Sequence, residues 1–429
     1  MKILIRQGRV VDPSHKRDGV FDILTEGPKI ADIAASIKTP ADISIDARGM
    51  LVVPGCIDLH VHLRQPGRED IETVRSGTKA AIAGGVTSVF AMPNTQPPVD
   101  HEKTVTQLQR IIDSDALANV FIIGAITKER RGEVLVDMKR MKKAGVAALS
   151  DDGNSIQDKE IMSDALKKAG ETGLLIIAHC EDKALSKQGV INEGITATTL
   201  GLRGIPKRSE YGIVERDIKL AHKMKARVHI AHVSCKESVD IIRKAKKSGI
   251  PVTAETAPHY FSLDERCSAT YDTNTKMNPP LRSPEDVEAI IKGLADGTID
   301  AIASDHAPHG RHEKDIEFEF AAFGIIGLET MVPLSLMQLV RSNRISLTRL
   351  VELLATNPAS IGGLGSKGSL AAGKDADITI IDPEKEWVYS KDIIQSKSRN
   401  SPFIDWRMTG RVRDVIVGGR PAMREYRIA

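Results

Sequence analysis

The sequence predicts an α/β protein: a TIM-type (β/α)8 barrel carrying a small β-sandwich domain formed from both chain termini. Three observations predict it. The two ends of the chain read as short strands punctuated by Gly, Pro and Asp, whereas the middle alternates short apolar runs with helical patterns. The apolar runs of the middle number eight, the count at which parallel strands close into a barrel. The length of 429 residues exceeds one barrel of roughly 250–300 residues and leaves room for an accessory domain.

At the N-terminus, KILIRQGRVV, DGVFDILTEG and ADISIDARG supply strand-like runs; at the C-terminus, DADITIIDP, KEWVYS and GRVRDVIVGGRPAM do the same. Residues 1–52 and 362–429 are therefore expected to form the two parts of the sandwich, with the barrel at 53–361. Barrel strands are expected at 56–62, 87–92, 120–126, 146–150, 174–179, 228–232, 252–256 and 299–304. Helical patterns fill most of the gaps, such as ESVDIIRKAKKSG after the sixth strand and PEDVEAIIKGLADG before the eighth. Gly84–Gly85 and Gly145 follow helical runs, where glycine makes a left-handed cap easily. The apolar run 320–340 holds one acid, Glu329, but Gly324, Gly327 and Pro333 interrupt it. It reads as a loop entering a buried helix, not a membrane span.

Composition narrows the function classes. Sixty Lys and Arg face 57 Asp and Glu, a formal net charge of +3, so nothing points to a nucleic-acid or membrane partner. Aromatics at 3% are too few for a base-stacking surface. Cys56, Cys180, Cys235 and Cys267 form no CxxC pair, and MKILIRQGRVVDP lacks the features of a signal peptide. Both observations lead us to expect a reduced, cytoplasmic protein.

The chemistry concentrates at the predicted strand ends. In Cys56-Ile-Asp-Leu-His-Val-His-Leu-Arg64, strand alternation places Asp58, His60, His62 and Arg64 on one face and Ile57, Leu59, Val61 and Leu63 on the other, against helices. Two imidazoles two residues apart can grip one divalent metal. Further candidates follow at the ends of the fourth, fifth, sixth and eighth strands: Asp152, His179, His232 and Asp305. That end is the face where barrel active sites lie. Four histidines and two aspartates suffice for two metals about 3.5–4 Å apart with one bridging carboxylate. Alternation turns Asp151 away from Asp152, and turns His229 away from His232, so both are read as packing. Asp58 is read as an acid that orients a ligand, and Cys180 as packing. His259 has two open readings, structural or supporting a ligand. The charged stretch 310–319 is either a mobile loop hinged at Gly310 or an ordered surface connection.

Pro54-Gly-Cys-Ile-Asp-Leu-His-Val-His-Leu-Arg64, Met92-Pro-Asn-Thr95, Asp151-Asp-Gly153, His179-Cys-Glu181, Met277-Asn-Pro-Pro-Leu-Arg282, Ser304-Asp-His-Ala-Pro-His309 and Gly-Lys-Asp-Ala-Asp-Ile378 span nearly the whole chain. Together they resemble the amidohydrolase superfamily and, within it, the dihydroorotases of the bacterial long-chain type. The resemblance implies two zinc ions per subunit, bridged by Asp152 and a hydroxide. His60, His62 and Asp305 would ligate the first ion, and His179 and His232 the second. Many related enzymes bridge with a carboxylated lysine; here Asp152 stands at that place. Arg64 and Asn94 would grip a substrate carboxylate, with His62, Asn278, His309, Phe323 and Gly324 completing the pocket. The implied reaction is the reversible cyclisation of N-carbamoyl-L-aspartate to (S)-dihydroorotate in pyrimidine biosynthesis, with Asp305 as general acid and base. The resemblance further implies a homodimer and allows association with aspartate transcarbamoylase.

Residue chemistry agrees. Arg64 offers a bidentate fork for a carboxylate, its plainer reading being an ion pair with Asp58 or Glu69. Asn94 and Asn278 each offer donor and acceptor to an imide edge. The donor set also suits cobalt or manganese. Two alternatives stay in view: a related cyclic amidase such as an allantoinase or a dihydropyrimidinase (hydantoinase), and an inactive scaffold subunit, which would be expected to have lost ligands.

Overall fold

The computed structural model describes all 429 residues. Eight parallel strands run Cys56–Val61, Val86–Ala91, Asn119–Gly124, Ala148–Leu149, Leu175–Ala178, Val228–Ile230, Val252–Thr256 and Ala301–Ile302, each paired with the next in chain order. Every expected barrel strand is present. Most are shorter than the apolar runs that announced them, and His62, Asp152, His179, His232 and Asp305 lie just past the ladder.

One parity of strand residues faces the surrounding helices and merges with their apolar sides, as Val89, Ile122, Leu149, Ile176, Ile230 and Ile302 do. The other parity fills the barrel interior with Phe90, Ile123, Leu175, Ile177, Ala231 and Ala301. The first strand departs from strict alternation. Ile57 and Leu59, expected against helices, lie in the interior cluster, while Val61 and Leu63 join the helix-facing core. The register with the second strand shifts between Asp58 and Val61. Such an irregularity re-aims side chains beside active sites, and here it lets apolar residues plug the barrel below while the histidines reach its mouth.

Ladder pairing runs from the first strand to the eighth, and other contacts complete the ring. Val61 bridges His306, and the His62 amide donates to the His306 carbonyl at 2.9 Å. The Asp58 carboxylate accepts the Ser304 amide at 3.1 and 3.2 Å and the His60 amide at 3.0 Å. Asp58 is fully buried, and that burial pushes its carboxyl up to about 7. Its partners are backbone amides of the first and eighth strands, so it closes the barrel instead of orienting a metal-binding ring.

The two chain ends share a second, nine-stranded sheet. Leu51–Pro54 pairs with Ile378–Val388, joining N-terminal to C-terminal strands. Lys2–Asp12 changes partners at Gln7, whose φ is +56°: residues before it pair with Ile43–Asp46, residues after it with Leu51–Pro54. Ile3, Ile5, Val10, Ile23, Ile45, Ile378, Ile380 and Ile416 form the apolar core of this sheet. DADITIIDP and KEWVYS, read as separate runs, belong to one strand with a register shift between Asp382 and Glu386. The apolar run 320–340 enters a buried helix, Met331–Ser335, continued by a wider turn at Leu336–Arg341. No helix is long and apolar enough to cross a membrane.

Removing the Asp58 carboxylate leaves two buried amides without an acceptor. Asp58→Ala is expected to cost about 2–4 kcal/mol of stability, measured as a fall in the urea midpoint; an unchanged midpoint would show that the ring closes without it.

Candidate metal centre and adjoining pocket

Backbone turns at the strand ends decide which side chains meet at the barrel mouth. Arg64, His232 and Asp305 have φ of +59°, +34° and +48°. Non-glycine residues seldom adopt positive φ, and those that do gather at functional sites. All three turns lie just past a strand, where alternation has ceased to apply, and all three side chains enter one pocket.

Asp152 is the hub of the cluster. Its Oδ1 lies 3.3 Å from His60 Nε2, 3.5 Å from His179 Nδ1 and 3.5 Å from His232 Nε2, and its Oδ2 lies 3.5 Å from His62 Nε2. Asp305 Oδ1 lies 3.5 Å from His60 Nε2 and 3.4 Å from His62 Nε2. All six residues are buried. The structure thus brings together every residue expected to ligate metal.

These donors fit a divalent cation. His60 Nε2 and Asp152 Oδ1 are buried without a hydrogen-bond partner, an arrangement that costs free energy unless something else satisfies it. His60, Asp152 and His232, and separately His60, His62 and Asp305, each present ligand atoms within 4.8 Å of one another. Burial opposes charge on His60, yet Asp152 and Asp305 outweigh it and raise the imidazole pKa well above its ordinary value. The pocket demands positive charge, which a metal would supply.

Three of the four rings are held by their outer nitrogen. His60 Nδ1 meets Glu255 Oε1 at 2.9 Å, His62 Nδ1 meets Asn94 Oδ1 at 2.7 Å, and His179 Nε2 meets Glu181 Oε2 at 3.3 Å. A neutral ring that donates outwards keeps its inner lone pair for a metal. Glu255 also receives His229 Nε2 at 3.1 Å. Burial alone would raise the Glu255 carboxyl, but His229 and His60 hold it down at about 2. Glu255 and Glu181 were missing from the expected site. The signal for Glu255 was an acid at the end of an otherwise apolar strand; for Glu181 it was the acid two residues beyond His179.

A cavity of about 350 Å³ opens beside the cluster. Its wall includes His62, Arg64, Asn94, Asn278, His309, Phe323 and Gly324, every residue expected around a substrate, together with Lys183 and Lys187. Arg64 Nε donates to the Pro308 carbonyl at 3.0 Å. Burial lowers the guanidinium to about 10, so it stays charged at neutral pH. It pairs with neither Asp58 nor Glu69. Asn94 Oδ1 is engaged by His62, leaving its amide nitrogen to the cavity, and Asn278 Nδ2 donates to Glu181 Oε2 at 3.2 Å. His309 Nε2 donates to the Phe323 carbonyl at 2.7 Å. Burial, then Arg64 and Lys314, lower His309 to about 3, so its ring is neutral.

The remaining candidates have other roles. Asp151 accepts the Ile126 and Thr127 amides at 2.8 and 3.1 Å. Burial drives the Cys180 thiol up, away from nucleophile chemistry. His259 is buried edge-on to Tyr260, with its Nε2 unpartnered; burial lowers it to about 4. Residues 310–319 include a helical turn, Arg311–Lys314, whose last side chain is buried.

Comparison with known proteins gives a consistent result. The family model described as dihydro-orotase-like matches residues 49–238, and one described as amidohydrolase family matches 326–423. The dihydroorotase of Elusimicrobium minutum (strain Pei191) is 51% identical over 419 residues, covering 98% of this chain and 97% of that protein. That of Geotalea daltonii (strain DSM 22248 / JCM 15807 / FRC-32) is 51% identical over 421 residues, covering 98% and 99%. Among solved structures, L-hydantoinase (dihydropyrimidinase) from Arthrobacter aurescens superposes with a TM-score of 0.91 at 25% identity, covering 100% of this chain and 97% of that one. Dihydropyrimidinase from Brevibacillus agri NCHU1002 does so with a TM-score of 0.88 at 25% identity, covering 100% and 96%.

Glu255→Gln keeps the shape of the side chain that holds His60 but removes its charge. It is expected to weaken metal retention about 10-fold or more, read as metal remaining after dialysis against a graded chelator; wild-type retention would refute a role for Glu255 behind the ring.

Proposed function

The chain belongs to the dihydroorotase family of the amidohydrolases, and from that premise we propose that its barrel mouth interconverts N-carbamoyl-L-aspartate and (S)-dihydroorotate with two zinc ions, in pyrimidine synthesis. The observation that carries the substrate assignment is Arg64. Its guanidinium lies in the cavity wall beside the histidine cluster, anchored through Nε to a backbone carbonyl and paired with no protein carboxylate. A buried guanidinium in that state is matched by a carboxylate on the ligand. Dihydropyrimidine and hydantoin rings need carry none, which favours dihydroorotate over the substrates in the names of the structural neighbours.

In the proposed ligand set, His60, His62 and Asp305 would hold one ion and His179 and His232 the other, with the Asp152 carboxylate available to both. Bound there, the ions would polarise the scissile carbonyl and lower the pKa of a water towards neutrality. The chain's own groups do the rest. Arg64 and Asn94 hold the ring carboxylate, His62, Asn278 and His309 line the ring, and the backbone at Phe323 and Gly324 shapes the far wall. Burial would raise the Asp305 carboxyl, but His60, His62 and His232 outweigh it and keep it ionised. It can therefore take the proton of the attacking water and pass it to the ring nitrogen as the C–N bond opens. Ring closure runs the same transfers backwards. All six proposed ligands are present, which speaks against an inactive scaffold subunit.

The decisive experiment couples metal analysis to hydrolysis assays on dihydroorotate, dihydrouracil, hydantoin and allantoin. About two zinc ions per chain and a clear preference for dihydroorotate are expected; better turnover of dihydrouracil or hydantoin would sink the substrate assignment. Asp305→Ala should lower kcat by about 10³-fold or more. Arg64→Met should raise KM for dihydroorotate by about 10–100-fold.

A further inference from the structure

The pocket wall that carries Arg64's anchor, His309 and Gly324 is fastened from outside the pocket by two buried side chains. Asn400 comes from the C-terminal part of the chain. Its Nδ2 donates to the Ala307 carbonyl at 3.0 Å and to the Gly324 carbonyl at 3.1 Å, and its Oδ1 accepts the His309 amide at 3.2 Å. Two carbonyls face the amide nitrogen and one N–H faces the oxygen, so all three bonds depend on a carboxamide in this one orientation. Lys314 completes the clamp. Its Nζ donates to the Ala322 carbonyl at 2.8 Å and to the same Gly324 carbonyl at 3.1 Å. Lys276 adds bonds from its Nζ to the Phe318 and Glu319 carbonyls at 2.9 and 3.0 Å.

Asn400 sits on a firm base. The neighbouring Ser398 hydroxyl donates to the Ile71 carbonyl at 3.1 Å, and the Gln395 and Ser396 amides donate to buried Glu329 at 2.9 and 3.2 Å. Burying two amines against carbonyls is costly: burial drags Lys314 down to about 7 and Lys276 to about 8. Neither amine lines the cavity. The order they impose is what reaches the ligand, because Ala307 and His309 flank Pro308, whose carbonyl receives Arg64 Nε.

We propose that Asn400 and Lys314 are positioning residues for the substrate carboxylate, holding 307–309 and 322–324 so that Arg64, anchored on the Pro308 carbonyl, meets it in a fixed place. The inference rests on the dihydroorotase reading of the pocket. A carboxylate that does not react is held equally in ground and transition states, so loosening its grip raises KM and spares kcat. Histidine and aspartate ligands lie outside the clamp, so metal content should not change.

The test is steady-state dihydroorotate hydrolysis by full-length, zinc-loaded Asn400→Ala and Lys314→Met proteins, with metal analysis and thermal unfolding alongside. We expect KM to rise about 10-fold in each, with kcat and zinc content within about twofold of wild type. A fall in kcat at unchanged KM, or a lowered Tm with both kinetic constants unchanged, would overturn the proposal. Should Asn400→Ala fail to fold, Lys314→Met decides the matter by the same criteria. A wild-type protein inactive on dihydroorotate would instead refute the functional reading beneath it.

Discussion

A carboxylate removed from water must find compensating charge, and Asp152 finds it in a ring of histidines that outweighs burial and holds its carboxyl well below the ordinary range. Three imidazole nitrogens stand within 3.5 Å of its Oδ1, yet that oxygen has no hydrogen-bond partner. Much of the surrounding architecture preserves that condition. Glu255, Asn94 and Glu181 occupy the outer nitrogens of three rings, so the inner ones stay turned to the cluster. The apolar plug of Ile57, Leu59, Phe90 and Ile177 closes the barrel beneath, keeping the electrostatics strong by keeping the dielectric low.

The barrel mouth divides its labour between two kinds of chain. Groups that would hold metal leave the ends of strands, whose positions are set by a ladder of hydrogen bonds. Groups that would hold substrate come mainly from loops, which need separate fastening to keep comparable precision. That difference explains the buried polar investment behind the pocket, where one carboxamide and two amines are spent on backbone carbonyls. A shared barrel does not select a substrate; the loop-built wall does.

The second sheet supports this arrangement by tying the chain's ends together. Leu51–Pro54 runs directly into the first barrel strand and pairs with Ile378–Val388. The C-terminal chain therefore returns to the barrel at a defined place, and the segment around Asn400 can pack beneath the pocket loops on the way.

What the sequence determined by itself was local in origin. Apolar runs with helical spacers announced eight strands, and a polar residue at the end of an apolar run announced the barrel mouth; hence His60, His62, Asp152, His179, His232 and Asp305 were all readable, as was the choice of Asp152 over Asp151. Alternation served well inside strands and failed at their ends: it misplaced Ile57 and Leu59, and it brought Arg64 to the pocket by a route the backbone does not take, since the strand stops at Val61 and a left-handed turn completes the swing. Only the tertiary structure decided which groups stand behind the site. His60 and Glu255 are 195 residues apart, and Asn400 and Ala307 are 93 apart. Asp58 spans 246 residues to reach Ser304. Nothing in local periodicity encodes such pairs, because a hydrogen bond across a closed barrel depends on where two strands meet in space, and that is set only when the ring has formed.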